Sequence, residues 1–138
     1  MNMLPLRLVP GDDLRLAIEA AVRNEFPNGA FVVCGIGSLS KVQLRLAGAS
    51  TNASRDGLYE IISLSGSVTA DGVHLHMSIA DEHGQVLGGH VSAGCVVRTT
   101  VELLLAPVEG VRLSRFLDPA TGFPELNIER GPFGPSLD

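Results

Sequence analysis

Apolar and polar positions divide this chain into one helical stretch and a series of strands. Leu4 to Val9 reads as a first strand, broken by Pro10 and Gly11. Asp12 or Asp13 then stands where a helix N-cap belongs, with its carboxylate against the positive helix end. Leu14, Ala17, Ile18, Ala21 and Val22 recur at helical spacing and make one apolar face. Arg15, Glu19 and Arg23 fall on another face at i, i+4 intervals, within reach of one another. Pro27-Asn28-Gly29 ends the helix.

The remainder reads as strands. Ala30 to Cys34 is a short apolar run closed by a turn at Gly35-Ile36-Gly37, and Lys41 to Leu46 alternates cleanly. Gly48 to Asp56 reads as a loop, Leu58 to Leu64 as a strand, and Ser65-Gly66 as a turn or bulge. Val73 to Ala80 and Gln85 to Ser92 flank Asp81-Glu82-His83-Gly84, a hairpin loop. Cys95 to Ala106 is a long strand, apolar on both sides, so a subunit interface is expected on one of them. From Asp118 the chain is rich in Gly and Pro. An extended arm is expected there, with a flexible tail over 130–138. Many strands, short turns and one amphipathic helix give an α+β fold, mainly antiparallel sheet or half-barrel, in a single domain of 138 residues.

Composition narrows the function classes. Hydrophobic residues make up 45% and charged residues 18%, enough apolar content for a sizeable core. The formal net charge is −5 and Lys41 is the single lysine, which argues against autonomous binding to duplex DNA. Cys34 and Cys95 both sit in apolar surroundings and read as buried, inert thiols. The N-terminus lacks the pattern of a secretory signal, and no apolar run approaches the roughly 18 residues of a membrane span, so a cytoplasmic protein is expected. Gly35-Ile36-Gly37-Ser38 is followed by alternating strand residues, not a helix, which rules it out as a phosphate loop.

The histidines carry the candidate chemistry. All four lie between positions 74 and 90. Alternation puts His74 and His76 on one strand face, with Val73, Leu75, Met77 and Ile79 on the other. A three-residue loop Glu82-His83-Gly84, with Gly84 left-handed, pairs Asp81 with Gln85 and therefore His76 with His90. The same register aligns the apolar residues on one face, whereas a slip by one residue would split them. His74, His76 and His90 then converge as an open three-imidazole site for zinc or another divalent transition metal, with a position left for water or substrate. His83 stands at the solvated loop tip. Glu60 alternates with Leu58, Ile62 and Leu64, which makes it an inward carboxylate and a candidate supporting or fourth ligand. Arg98 and Glu102 share a strand face and read as an ion pair, with each other or at an interface.

Five motifs in order define a resemblance: P-G-D-D-L at 10–14, G-I-G-S-L at 35–39, L-Y-E-I-I-S-L-S-G at 58–66, H-L-H-M-S-I-A-D-E-H-G-Q-V-L-G-G-H at 74–90 and G-C-V-V-R-T-T-V-E-L-L-L at 94–105. From about residue 7 to 106 the chain resembles the PPC domain family, named for conservation in plants and prokaryotes. The resemblance implies an antiparallel sheet with a helix, and a homotrimer. Plant members bind DNA through basic AT-hooks, and no such segment occurs here, so direct DNA binding is not expected. The fold also looks similar to that of acetolactate decarboxylase, a zinc enzyme with an H-x-H and a later His as ligands. His74, His76 and His90 match that pattern, and a small carbonyl or carboxylate ligand would suit such a metal. A DNA-associated or protein-interaction module without catalysis is the alternative.

Overall fold

A computed structural model describes residues 2–133. Its elements are β1 (Leu4–Leu8), α1 (Leu14–Glu25), β2 (Ala30–Arg45), β3 (Asn52–Thr69), β4 (Gly72–Ala80), β5 (Val86–Val91), β6 (Val96–Ala106), β7 (Val111–Asp118) and β8 (Phe123–Arg130). Six strands form one antiparallel sheet in the order β1-β6-β2-β3-β4-β5. The far end of β2 also pairs with β5, matching Leu44 with Val91 and Arg45 with His90. The sheet therefore curls back on itself, giving the half-barrel that the strand pattern implies. β7 and β8 make a separate antiparallel hairpin.

The inner face of the sheet and one side of α1 enclose the core. Leu14 and Ile18 from the helix are fully buried against Leu39, Leu44, Ile79 and Leu105 from the strands. Asp13 is the N-cap: its Oδ1 accepts from the Leu16 N–H at 3.0 Å and its Oδ2 from the Gly94 N–H at 2.7 Å. One carboxylate thus starts the helix and ties it to the approach of β6. Arg15 and Glu19 pair at 3.0 Å on the helix flank, as their spacing suggests.

The Gly35-Ile36-Gly37 segment does not turn. β2 runs through it, and β3 likewise runs through Ser65-Gly66 and starts at Asn52, within the expected loop. The glycines are there for clearance. A Cβ on Gly37 would strike the Thr100 carbonyl and Val101, and one on Gly66 would strike the His74 carbonyl and Leu75. Neighbouring strands approach closely at these points, so the long strands bend where other residues would hold them apart. Register shifts between Val32 and Cys34, and between Ile61 and Ser63, assist the bending and reverse the in–out alternation.

Those shifts overturn two expectations. Cys34 is exposed, whereas Cys95 is buried as expected. Glu60 is exposed on the outer face, because Tyr59, Ile61 and Leu64, not Leu58 and Ile62, face inward. Arg98 and Glu102 are also exposed and form no ion pair with each other. The outer face of β6 is accordingly not uniformly apolar. The outward apolar residues gather on the next strands, where Ile36 and Ile62 are 57% and 56% exposed.

The region after Ala106 is more ordered than its composition suggests. β7 and β8 pair along their full length, with Val111 opposite Arg130 and Asp118 opposite Phe123. The Asp118 carbonyl accepts from the N–H groups of Thr121 and Gly122, which closes the turn. The hairpin docks through Leu113, whose N–H donates to the Asn28 carbonyl at 2.8 Å, and Arg115, whose N–H donates to Asp71 Oδ2 at 3.0 Å. Of the expected tail, Arg130 ends β8, and residues 134–138 lie outside the described residues.

The clearance argument separates two kinds of glycine. Replacing Gly66 by Ala should cost about 3 kcal/mol, because backbone must move. Replacing Gly84, which is left-handed (φ 79°) but has open space around it, should cost about 1 kcal/mol. Urea unfolding of both variants at one protein concentration measures the difference. Equal losses would contradict it.

Candidate metal centre

The β4–β5 hairpin has the register that its loop chemistry implies. Asp81 N–H donates to the Gln85 carbonyl at 3.0 Å, and Asp81 Oδ1 accepts from the N–H groups of His83 and Gln85 at 2.9 Å each. His76 lies opposite His90 and Ile79 opposite Leu87. Leu75, Met77 and Ile79 are buried, so His74 and His76 must point outward. His83 is exposed at the tip.

The three imidazoles converge. Nε2 of His74 and Nε2 of His76 are 3.0 Å apart, and Nε2 of His76 and Nδ1 of His90 are 3.2 Å apart. All three ligand atoms lie within 4.8 Å of one another. The rings of His74 and His90 are nearly parallel (19°), and His76 stands edge-on to both at 87° and 83°. A tetrahedral ion with bonds of about 2.0–2.1 Å sets its ligand nitrogens about 3.3 Å apart; the two adjacent pairs stand near that spacing, and the group as a whole, which spans up to 4.8 Å, would draw together to hold one metal ion. A neutral His76 Nε2 carries one proton or one lone pair and must share it between two neighbours, whereas a cation satisfies all three nitrogens together.

The surroundings keep two of these rings basic only weakly. Partial burial, then the charges of His76 and Arg115, hold His74 below the ordinary imidazole value, with Glu125 opposing. Partial burial, then Arg45, lowers His90. Glu60 stands outside the group, opposite Ala80 and Ser38, away from the histidines. Beside His74 and His76 opens a cavity of about 320 Å³, lined also by Phe31, Val32, Ser65, Gly66 and Ser67. Ser65 faces His76 and Ser67 faces His74 across the β3–β4 pair. Arg45, beside His90, follows from the strand pairing. Arg115 arrives from the separate hairpin, and no local pattern announces it.

Comparison with known proteins accounts for the sheet topology. The chain belongs to the Plants and Prokaryotes Conserved (PCC) domain family, whose profile matches residues 1–109. It is 44% identical over 130 residues to the bifunctional protein GlmU of Synechococcus sp. strain JA-3-3Ab. That match covers 94% of this chain but only 21% of the relative, so the chain spans about a fifth of that protein's length. Among solved structures, a hypothetical protein of Salmonella enterica superposes with a TM-score of 0.90 at 36% identity, covering 94% of both chains. The metal-containing protein AF0104 of Archaeoglobus fulgidus superposes at 0.76 with 25% identity, covering 91% of this chain and 92% of that one.

Protonation of His74 and His90 in the metal-free protein should therefore have midpoints below 6.5. The sign for stability follows. Their contribution is complete above pH 6.5 and declines as pH falls towards the lower folded values, because the unfolded chain takes up these protons first. Carbon-detected NMR titration of the imidazoles reads the midpoints directly. A His74 midpoint at or above 6.5 would contradict the role of burial.

Proposed function

We propose that this protein is a cytoplasmic, trimeric zinc-binding PCC-domain protein in which His74, His76 and His90 hold the ion and leave one coordination position open. The convergence of three imidazole nitrogens within 4.8 Å, on strands rather than loops, carries this reading. The metal-containing Archaeoglobus neighbour supports it. Zinc bound there would supply Lewis acidity to a small carbonyl or carboxylate compound, or lower the pKa of a coordinated water. The chain's own residues would orient that ligand. Ser65 and Ser67 offer hydroxyls from β3, and Phe31, opposite Ser67 in the strand pairing, adds an apolar surface beside them.

The trimer is supported by outward apolar side chains. Ile36 and Ile62 lie on adjacent strands, and Phe116, Leu117 and Phe123 on the hairpin are 60%, 72% and 65% exposed. Patches of this kind are uncommon on proteins that remain monomeric. Cys34, exposed near Ile36, stays reduced in a cytoplasmic setting. With a net charge of −5 and a lone lysine, the chain has little means of neutralising DNA phosphates, and its role does not include duplex binding. The competing reading is a trimeric interaction module whose histidines hold no ion, and metal analysis separates the two.

Protein loaded with zinc and then desalted should retain about one ion per chain, and His76→Ala should retain almost none with an unchanged far-ultraviolet spectrum. Equal, substoichiometric zinc in both proteins would refute metal binding. In sedimentation at micromolar concentration the wild type should run as a trimer. Ile36→Glu should run as a monomer, because association would bury its carboxylate. A monomeric wild type would refute the assembly.

A further inference from the structure

We infer that the histidine cavity lies at the boundary between copies of this chain, so that a neighbouring copy closes over His74, His76 and His90. This rests on the assembly proposed above and places the candidate metal centre within it. Exposed apolar residues stand at either end of the cavity. At one end are Ile36 and Ile62, on neighbouring strands. Ile62 adjoins Ser63, and both are exposed on β3, followed by Ser65. Ser65 then faces His76 and Ser67 faces His74 across the β3–β4 pair. At the other end is the tip of the β7–β8 hairpin, with Phe116, Leu117 and Phe123 exposed. Arg115, next to Phe116 in the chain, donates from Nη2 to Ser67 Oγ at 2.7 Å, which fixes the hairpin at the Ser67 end of the cavity.

The hairpin also runs off its own sheet. Alternate residues of β7 share a face. Leu113 is 4% exposed and Arg115 reaches Ser67, so this face is turned to the sheet. Leu117 continues the same face and is 72% exposed. The sheet side of the hairpin is therefore bare at its tip, where a neighbouring copy can fill it. A hairpin tip of one copy meeting the sheet of the next is a head-to-tail contact, the kind that closes into a ring.

Dimensions and charge favour a second copy as the cover. Ile62 lies five positions before Ser67, about 17 Å along a strand. An ordinary protein interface takes about 800 Å² from each partner, a patch about 30 Å across. One that includes both apolar groups passes over Ser65, Ser67 and the imidazoles paired with them. Around Ile36 and Ile62 the charges are balanced. Glu102 stands opposite Ile36, and Arg7 stands opposite Glu102 on β1. Glu60 is two residues from Ile62, and Arg98 is four residues from Glu102. All four are exposed, and none forms an ion pair among the described residues. Two acids and two bases can be answered by the same set on another copy, whereas a partner of one sign would leave half of them opposed.

Diethyl pyrocarbonate, which acylates neutral imidazole, is the probe, applied to metal-free protein at neutral pH and read by peptide mass mapping. His83, at the exposed tip of the β4–β5 loop, is the reference within the same chain. Relative to His83, the histidines at 74, 76 and 90 should react at least about tenfold more slowly in the assembled wild type than in Ile36→Glu run as a monomer. Diluting the wild type until it dissociates should raise the same three rates, and decides the matter if the glutamate variant folds poorly. Equal ratios to His83 in assembled and dissociated protein would overturn the inference while leaving the assembly intact. A wild type that sediments as a monomer would refute the assembly, and the boundary site with it.

Discussion

The pairing of β4 with β5 is the constraint on which both the core and the histidine cluster depend. A strand has two faces, and fixing one fixes the other. Leu75, Met77 and Ile79 can enter the core only if His74 and His76 leave it. The loop at Glu82-His83-Gly84 then decides which residue of β5 meets His76. A slip of one residue would expose Leu87 and carry His90 inward, so hydrophobic burial opposes any register that disperses the imidazoles. The closure of β2 onto β5 adds a second restraint, since Arg45 holds His90 from the other side.

The α+β class, the helix and the histidine hairpin were legible because their signals are local. Helical spacing runs unbroken from Leu14 to Val22, and the hairpin alternates without a bulge on either side of its loop. Harder to see were features set by contacts between distant segments. Gly37 and Gly66 look like turn residues in isolation, and only the Thr100 and His74 carbonyls reveal that they are points of close strand approach. Cys34 and Glu60 were misplaced for a related reason: a register shift near each reverses a parity that perfect alternation would have preserved.

Arg115 shows the same limit at the site itself. It lies 48 positions beyond Ser67 in the chain, on a hairpin whose Gly- and Pro-bearing turn suggests a loose arm. Its approach to the sheet depends on Leu113 meeting Gly29 and on Asp71 receiving the Arg115 N–H. Neither contact has a periodicity that could be read along the sequence. Three ring nitrogens could be assembled from strand geometry alone; the cation beside them required the folded chain.

The placement of all three imidazoles on hydrogen-bonded strands has a consequence for how the protein would live with its ion. Small zinc domains commonly fold only when the metal arrives, so their abundance is tied to metal supply. Here the apolar core stands on the opposite face of the sheet from the ligand atoms and is complete without them. A scaffold built in this way would persist whether or not an ion sat on the histidines, with chain turnover governed by the core rather than by occupancy.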